Sequence, residues 1–147
     1  MTVALRAVSP ADRASLRAWL PATAAAAGYP GDAETLIAPR TGHETRIIER
    51  DGAVAGVICW RQERRSSDAI IELVATPPEH ARRGSGLRAA ALIEGVLRDA
   101  DVRRIYAPAS AAHGISVYFW IRLGYRPLLR GEWPCAVDGV AWLVRDL

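Results

Sequence analysis

Lysine is absent from this chain of 147 residues, and cysteine and long uncharged segments are scarce. All 19 basic residues are arginine, which we attribute to the base composition of the gene rather than to function. The two cysteines, Cys59 and Cys135, lie far apart and lack metal-ligand spacing, so we expect neither a disulfide framework nor a metal site. Cys59 lies in the apolar stretch 54–60 and is expected to be a buried free thiol.

Other absences narrow the class of protein. The longest uncharged run, residues 105–121, contains Pro108, His113 and Gly114 and is not expected to cross a membrane. The N-terminus has no signal pattern, and we expect a soluble, cytoplasmic protein. The net charge of +3 comes from scattered arginines, which does not predict nucleic-acid binding but favours an anionic ligand. Half of the residues are hydrophobic, which is typical of one globular domain over residues 1–147.

Periodicity and turn signals predict a mixed α/β sheet with the element order β-α-α-β-β-β-α-β-α-β-β. The predicted strands cover residues 3–7, 44–50, 53–62, 68–75, 102–107, 125–129 and 136–144. Ser9 is the expected N-cap of the first helix, and Pro21 is expected to interrupt it before a hinge or short second helix. Asp51-Gly52 predicts a two-residue hairpin, and residues 64–67 predict the next turn.

The most informative segment is Ala81-Arg82-Arg83-Gly84-Ser85-Gly86-Leu87. It follows a predicted buried strand that ends at Pro77-Pro78, and it precedes a helix with apolar positions 89, 92, 93, 96 and 100 and polar positions 88, 94, 98 and 99. A glycine loop at a helix start directs free backbone N–H groups and the helix dipole at one point, which suits a pyrophosphate. A tight turn without a ligand is the alternative. Neither a dinucleotide fingerprint nor a Walker loop is present, because the third glycine and the Lys-Ser/Thr pair are missing.

This loop and helix resemble the acyl-CoA-binding motif of the GNAT superfamily of N-acyltransferases. The family pattern is Gln/Arg-x-x-Gly-x-Gly/Ala. Gly84 and Gly86 match it, whereas Ala81 stands at the first position and Arg82 is displaced by one residue.

A second segment supports the resemblance. Residues 113–125, His-Gly-Ile-Ser-Val-Tyr-Phe-Trp-Ile-Arg-Leu-Gly-Tyr, are similar to the family pattern Asn-x-x-Ala-x-x-Phe-Tyr-x-x-Leu-Gly-Phe. Gly124 is the expected stop of this helix, and the interval from the glycine loop leaves room for one helix and one strand.

The resemblance implies a single domain with a mixed, mostly antiparallel sheet, flanked by helices, in which two central strands splay apart. It implies acetyl-CoA or another acyl-CoA as cosubstrate, no metal, and an amine of a small molecule or peptide as acceptor. The implied CoA-binding residues are Val74, Ala75, Thr76, Arg82, Arg83, Gly84, Ser85, Gly86, Leu87, Ser116 and Trp120. A catalytically weak CoA-binding regulatory protein of the same fold is the alternative, a nucleic-acid module ranks last, and a homodimer is left open.

Acyl transfer to an amine needs a group that accepts the amine proton and one that protonates the departing thiolate. Glu72 is the only acid inside strand 68–75, and alternation places it on the face of Val74 and Thr76 unless a bulge intervenes. It is our candidate base, with a solvated or salt-bridged glutamate as the alternative.

The general acid is harder to assign. Trp120 occupies the position of the family's usual acid, a tyrosine, and Tyr118 lies about 200° away around the helix. His113, which shares a helical face with Ser116 and Trp120, is a candidate because imidazole exchanges protons near neutral pH. A structural or cofactor-binding role for His113 is the alternative. His43 and His80 are expected to be exposed in turns.

Overall fold

The computed structural model describes residues 1–38, 40–62 and 66–147. Within these ranges the helices and strands follow the predicted order. The strands are β1 Val3–Ala7, β2 His43–Arg50, β3 Ala53–Gln62, β4 Asp68–Ala75, β5 Arg104–Ser110, β6 Arg126–Pro127 and β7 Val140–Asp146. The helices are α1 Pro10–Ala26, α2 Glu34–Ile37, α3 Ser85–Asp99 and α4 Gly114–Arg122.

The strands form one sheet in the order β1-β2-β3-β4-β5-β7-β6. All neighbours are antiparallel except β4 and β5, which confirms the mixed, mostly antiparallel sheet. Alternate residues of the strands pack on opposite faces: Ile47 and Val57 pack with α1 and α2, while Ile48 and Ile58 pack with α3 and α4. The sheet therefore separates two cores, and anything that crosses it must pass where two strands part.

Helix α1 does not stop at Pro21, and this expectation was wrong. The helix continues to Ala26, and Leu16, Leu20 and Ala24 are buried against the sheet at four-residue spacing. Pro21 itself is exposed, so the hydrogen bond that it removes lies on the solvent side, where water can bind the free carbonyl. Packing on both sides of the proline holds the helix together and overrides the local preference.

The buried stripe of α3 is rotated from the predicted one. Leu92 and Val96 are 44% and 55% exposed, whereas Glu94, which the sequence pattern places on the polar face, is 3% exposed. Its Oε2 lies 2.8 Å from Nη1 of Arg145 on β7. The ion pair explains the error, because a glutamate with a cationic partner across the fold can occupy a core position that its own sequence neighbours do not favour.

The C-terminal strands are shorter than predicted or shifted along the chain. β5 starts two residues later and runs on to Ser110, and only residues 126–127 of the predicted strand 125–129 pair with β7. Gly139 has φ +77, and the turn that it makes delays β7 to Val140. Of the predicted turn 64–67, Arg64 and Arg65 lie outside the described residues, while Ser66 and Ser67 form a bend before β4.

Candidate active site

Strands β4 and β5 diverge. They pair only from Asp68 opposite Arg104 to Ile70 opposite Tyr106, although both strands continue for several residues. This confirms the expected splayed strand pair. Pro108 lies in β5 beyond the last paired residue, and because proline has no N–H it suits a strand edge that has lost its partner. The main-chain groups of β4 that face β5 beyond Ile70 thus have no strand partner.

A β-bulge lies on β4 beside the divergence. Ile71 is opposite Trp60 and Leu73 is opposite Cys59, so Glu72 has no partner residue on β3. Such a bulge reverses the alternation of side chains along the strand. Val74 packs with the α3 and α4 core, while Leu73 packs with the α1 and α2 core.

The glycine loop borders a cavity of about 550 Å³, which we call the loop cavity. It is lined by Val74, Thr76, His80, Arg82, Arg83, Gly84, Ser85, Gly86, Leu87, Ile115, Tyr118, Phe119 and Arg122. Arg82 and Gly84 both have positive φ, 61° and 81°, and α3 begins directly after Gly84. His80 is partly buried in a short 3-10 turn at Pro78–His80 and faces this cavity, so it is less exposed than expected. Three arginines and a helix start make the cavity electropositive.

Several donors at the start of α3 have no partner among the described residues. The first helical hydrogen bond runs from the N–H of Arg88 to the carbonyl of Gly84, 3.1 Å, so the preceding N–H groups are free of helical acceptors. The hydroxyl of Ser85 is buried and also lacks a hydrogen-bond partner in the described part of the chain. Free N–H and O–H donors at a helix N-terminus can bind the oxygens of a pyrophosphate. The loop therefore fits the diphosphate of CoA.

The two loop glycines have different roles. A Cβ on Gly84 would meet nothing within 4 Å, so what this residue supplies is its left-handed backbone conformation. A Cβ on Gly86 would lie 3.1 Å from Cγ1 of Val74 and 3.4 Å from the ring of Phe119. Gly86 thus lets α3 approach β4 and α4 closely.

A second cavity, of about 370 Å³, lies where β4 and β5 diverge, and we call it the cleft cavity. It brings together five residues that the sequence had singled out: Glu72, Val74, His113, Ser116 and Trp120. It shares Val74, Ile115 and Phe119 with the loop cavity, so the two adjoin. Ala75 lines neither cavity and packs instead in the α1 and α2 core.

Ser116 and Trp120 are held by their surroundings. The Ser116 hydroxyl donates to the carbonyl of Ala27, 2.9 Å, and accepts from the N–H of Ser110, 3.1 Å, which ties α4 to the end of α1. Trp120 is 4% exposed, and its ring lies 4.9 Å from the rings of both Phe119 and Tyr125. His113, by contrast, is exposed at the N-cap of α4. Of these three residues, only His113 is exposed.

Glu72 has partners that the sequence analysis did not name, although a salt-bridged glutamate was its alternative to a base. Its Oε1 lies 2.7 Å from Nδ1 of His43 and 3.9 Å from Nη2 of Arg40, and Nη2 of Arg40 lies 2.8 Å from the same Nδ1. His43 is the first residue of β2, with its side chain 25% exposed, rather than an exposed turn residue. The bulge that we allowed as an exception does intervene, so Glu72 lies on the face of the sheet where His43 lies and not on that of Val74 and Thr76.

A third cavity, of about 310 Å³, lies beyond this ion pair, and we call it the β2 cavity. Among the described residues, Glu72 alone lines both the β2 cavity and the cleft cavity. The carboxylate thus stands between a space that adjoins the glycine loop and a space on the α1 and α2 side of the sheet.

The family model for the acetyltransferase (GNAT) family matches residues 13–125, which include the glycine loop, the diverging strands and α4. The chain belongs to the acetyltransferase (GNAT) family. No similar sequence was found among curated proteins.

Solved structures of GNAT proteins share the fold. An acetyltransferase from Thermus thermophilus superposes with a TM-score of 0.76 at 20% identity, over 100% of this chain and 98% of that one. The N-acetylglutamate synthase of Neisseria gonorrhoeae, solved with coenzyme A and N-acetyl-glutamate, gives 0.76 at 19% identity, over 100% of this chain but 35% of the synthase. The PaiA N-acetyltransferase of Thermoplasma acidophilum, solved with coenzyme A, gives 0.72 at 12% identity, over 100% of both chains. At these identities the likeness concerns the fold.

The described residues contain neither a candidate metal site nor a candidate membrane-spanning helix. Within the described ranges no three His, Cys, Asp or Glu side chains are grouped so that they could hold a metal ion. Among the same residues, no helix combines the length and apolar character needed to cross a bilayer.

The residues that sequence reasoning missed are His43, Arg40 and Arg122. The Asp51-Gly52 hairpin alone would place His43 opposite Trp60, but a bulge between Ile48 and Glu49 shifts its partner to Arg61. The bulges in the β2–β3 and β3–β4 pairing have no signal in the sequence, and only the structure shows them.

Proposed function

We propose that this GNAT protein transfers an acetyl or other acyl group from acyl-CoA to a primary amine of a small molecule or peptide. The observation that carries the proposal is the series of adjoining cavities. The loop cavity meets the cleft cavity at Val74 and Phe119, and the cleft cavity meets the β2 cavity at Glu72. A pyrophosphate and a reacting thioester can thereby lie in neighbouring cavities with a carboxylate beside the second one.

The CoA pyrophosphate binds the free N–H groups from Arg82 to Leu87, and the pantetheine arm passes Val74 into the cleft cavity. There the main-chain groups of Val74, Ala75 and Thr76, on the side where β4 has lost β5 as a partner, bind the arm and polarise the thioester carbonyl. Ser116 and Trp120 form the opposite wall of the cleft. The left-handed backbone of Gly84 at the start of α3 and a strand edge without a partner support this assignment.

The chemical step joins the acceptor nitrogen to the acyl carbon and breaks the carbon–sulfur bond. Glu72 accepts the proton that the amine loses, and the ion pair with His43 holds its carboxylate in place. The thiolate of CoA leaves with its electron pair and is protonated by His113 at the cleft or by water. Trp120 cannot supply that proton and acts as an apolar wall.

Release of free thiol from acetyl-CoA tests the proposal directly. A panel of primary amines, including amino acids, polyamines and a peptide with a free N-terminus, should contain acceptors that raise thiol release well above the rate with acetyl-CoA alone. The product should gain the mass of one acetyl group. Tight binding of CoA with no acceptor-dependent release across the panel would instead support a CoA-binding regulatory protein.

A further inference from the structure

The β2 cavity shares Glu72 with the cleft cavity and is lined by residues of α1, α2 and β2. If the proposed acyl transfer holds, an amine that approaches Glu72 from this side has the rest of its molecule in this space. A volume of about 310 Å³ is at the small end of ligand sites and suits a molecule of amino-acid size. The side chains that line the cavity should therefore decide which amines are accepted.

Three arginines line the β2 cavity, and two of them have anionic partners. Nη1 of Arg46 lies 2.9 Å from Glu44, and Nη2 of Arg40 lies 3.9 Å from Glu72. Arg13, on the first turns of α1, has no ion pair and no side-chain hydrogen bond among the described residues, and its Nε is buried. A buried guanidinium nitrogen without an acceptor is unusual in a folded protein, because it has lost its water without gaining a partner.

The chemistry of a missing partner follows from the guanidinium. Nε and an adjacent Nη form a planar pair of donors that matches the two oxygens of a carboxylate. One unpaired guanidinium balances the single negative charge of a carboxylate. A phosphate dianion would need a second unpaired cation, but the other two arginines are already paired with carboxylates.

We propose that the acceptor is an amino acid or a related small amine with its own carboxylate. The carboxylate binds Arg13 in the β2 cavity, and the amine lies at Glu72. Arg13 is thus the residue that selects the substrate. It favours molecules with both groups over amines of the same carbon skeleton that lack the carboxylate.

Matched pairs of acceptors test this inference: leucine against 3-methylbutylamine, and phenylalanine against 2-phenylethylamine. Each is assayed by thiol release and by calorimetric titration into the complex with CoA. The wild-type protein should prefer the carboxylate member of at least one pair. Arg13→Met should lower kcat/KM for that member about 10- to 100-fold, mainly through KM, as expected for loss of a charge-assisted pair. It should leave the decarboxylated member nearly unchanged.

Arg17→Met is the matched control, because Arg17 is on the same helix but is exposed and paired with Glu34. It should keep the preference, and Arg13→Lys should restore part of it. Equal use of both members by the wild type, or an unchanged preference in Arg13→Met, would overturn the role of Arg13 while leaving the transferase intact. No thiol release with any amine would count against the transferase, and the calorimetric titrations would still decide whether Arg13 binds a carboxylate.

Discussion

Nδ1 of His43 and Oε1 of Glu72 lie 2.7 Å apart and join the first residue of β2 to the bulged residue of β4. The same Nδ1 is 2.8 Å from Nη2 of Arg40. A ring nitrogen with a proton donates to Glu72, whereas one without a proton accepts from Arg40, so the two contacts report different proton positions. Glu72, His43 and Arg40 therefore form one hydrogen-bonded cluster.

Glu72→Gln should lower kcat at neutral pH by about two to four orders of magnitude, the usual size of a proton-transfer role, because an amide cannot accept the amine proton. The affinity for CoA, measured by calorimetry, should stay near that of the wild type. Glu34→Gln, a change at an exposed carboxylate on α2, is the control and should leave both unchanged. Wild-type turnover in Glu72→Gln would mean that water or another group takes the proton.

His43→Ala should have a smaller effect, about tenfold on kcat, because Glu72 keeps Arg40 as a partner. The more specific result is a displaced pH–rate profile, because the variant removes the imidazole that lies 2.7 Å from the Glu72 carboxylate. Steady-state rates from about pH 5.5 to about pH 9 provide the measurement, a range that brackets the usual titration of imidazole. If the two profiles superimpose, His43 has only a structural role.

Gly84→Ala should weaken CoA binding, because its left-handed backbone orients the free N–H groups of the loop. Gly52→Ala is the matched control: Gly52 has φ +84, and a Cβ added there, as at Gly84, would meet nothing within 4 Å. The two variants should lose similar amounts of stability, about 1 kcal/mol. Calorimetry should find a lower CoA affinity only for Gly84→Ala. A normal affinity there would remove the glycine loop from the CoA site, as would retained micromolar binding by the bulkier Gly84→Val.

Trp120→Tyr should not raise turnover, because Trp120 is a packed wall of the cleft rather than a substitute for an acid. The smaller ring loses buried aromatic area, so we expect lower stability and weaker binding of CoA or acceptor. Trp120→Phe has no hydroxyl and provides the comparison. Similar kcat values for both variants are expected, whereas a higher kcat with unchanged KM for Trp120→Tyr alone would restore a tyrosine-acid mechanism.

Glu94→Gln should alter how stability depends on pH. Burial raises the pKa of Glu94 above its ordinary value of 4.5, and Arg145 offsets this in part. A carboxyl with a raised pKa in the fold holds its proton more tightly than in the unfolded chain, so its stabilisation is present below pH 4.5 and is lost as the pH rises through the folded value.

Urea unfolding at pH 4.5, the ordinary pKa of the carboxyl, and at about pH 7 measures this effect. Between the two, the free energy of unfolding should fall by a larger amount in the wild type than in Glu94→Gln. Glu79→Gln, at an exposed position, should behave as the wild type does. A pH dependence of Glu94→Gln equal to that of the wild type would contradict the assignment.

Local features of the sequence determined much of the fold. Strands β3 and β4 have their predicted bounds. Their hydrophobic residues, the Asp51-Gly52 turn and the two prolines after β4 determine the backbone conformation of residues only a few positions away in the chain. The glycine loop was likewise predictable from the sequence, because a left-handed backbone conformation favours glycine at that position. The family resemblance rested on such local patterns and is confirmed.

The tertiary structure decided what depends on partners distant in the chain. Packing of Leu16, Leu20 and Ala24 against the sheet keeps α1 helical past Pro21. The ion pair with Arg145 allows Glu94 to be buried in the core. The bulge at Glu72 moved this carboxylate to His43, 29 residues earlier in the chain. In each case the stabilising interaction joins residues that are distant in the chain, so local sequence patterns could not predict it. The sequence therefore identified Glu72 as a candidate, whereas only the tertiary structure determined on which face of the sheet its carboxylate lies.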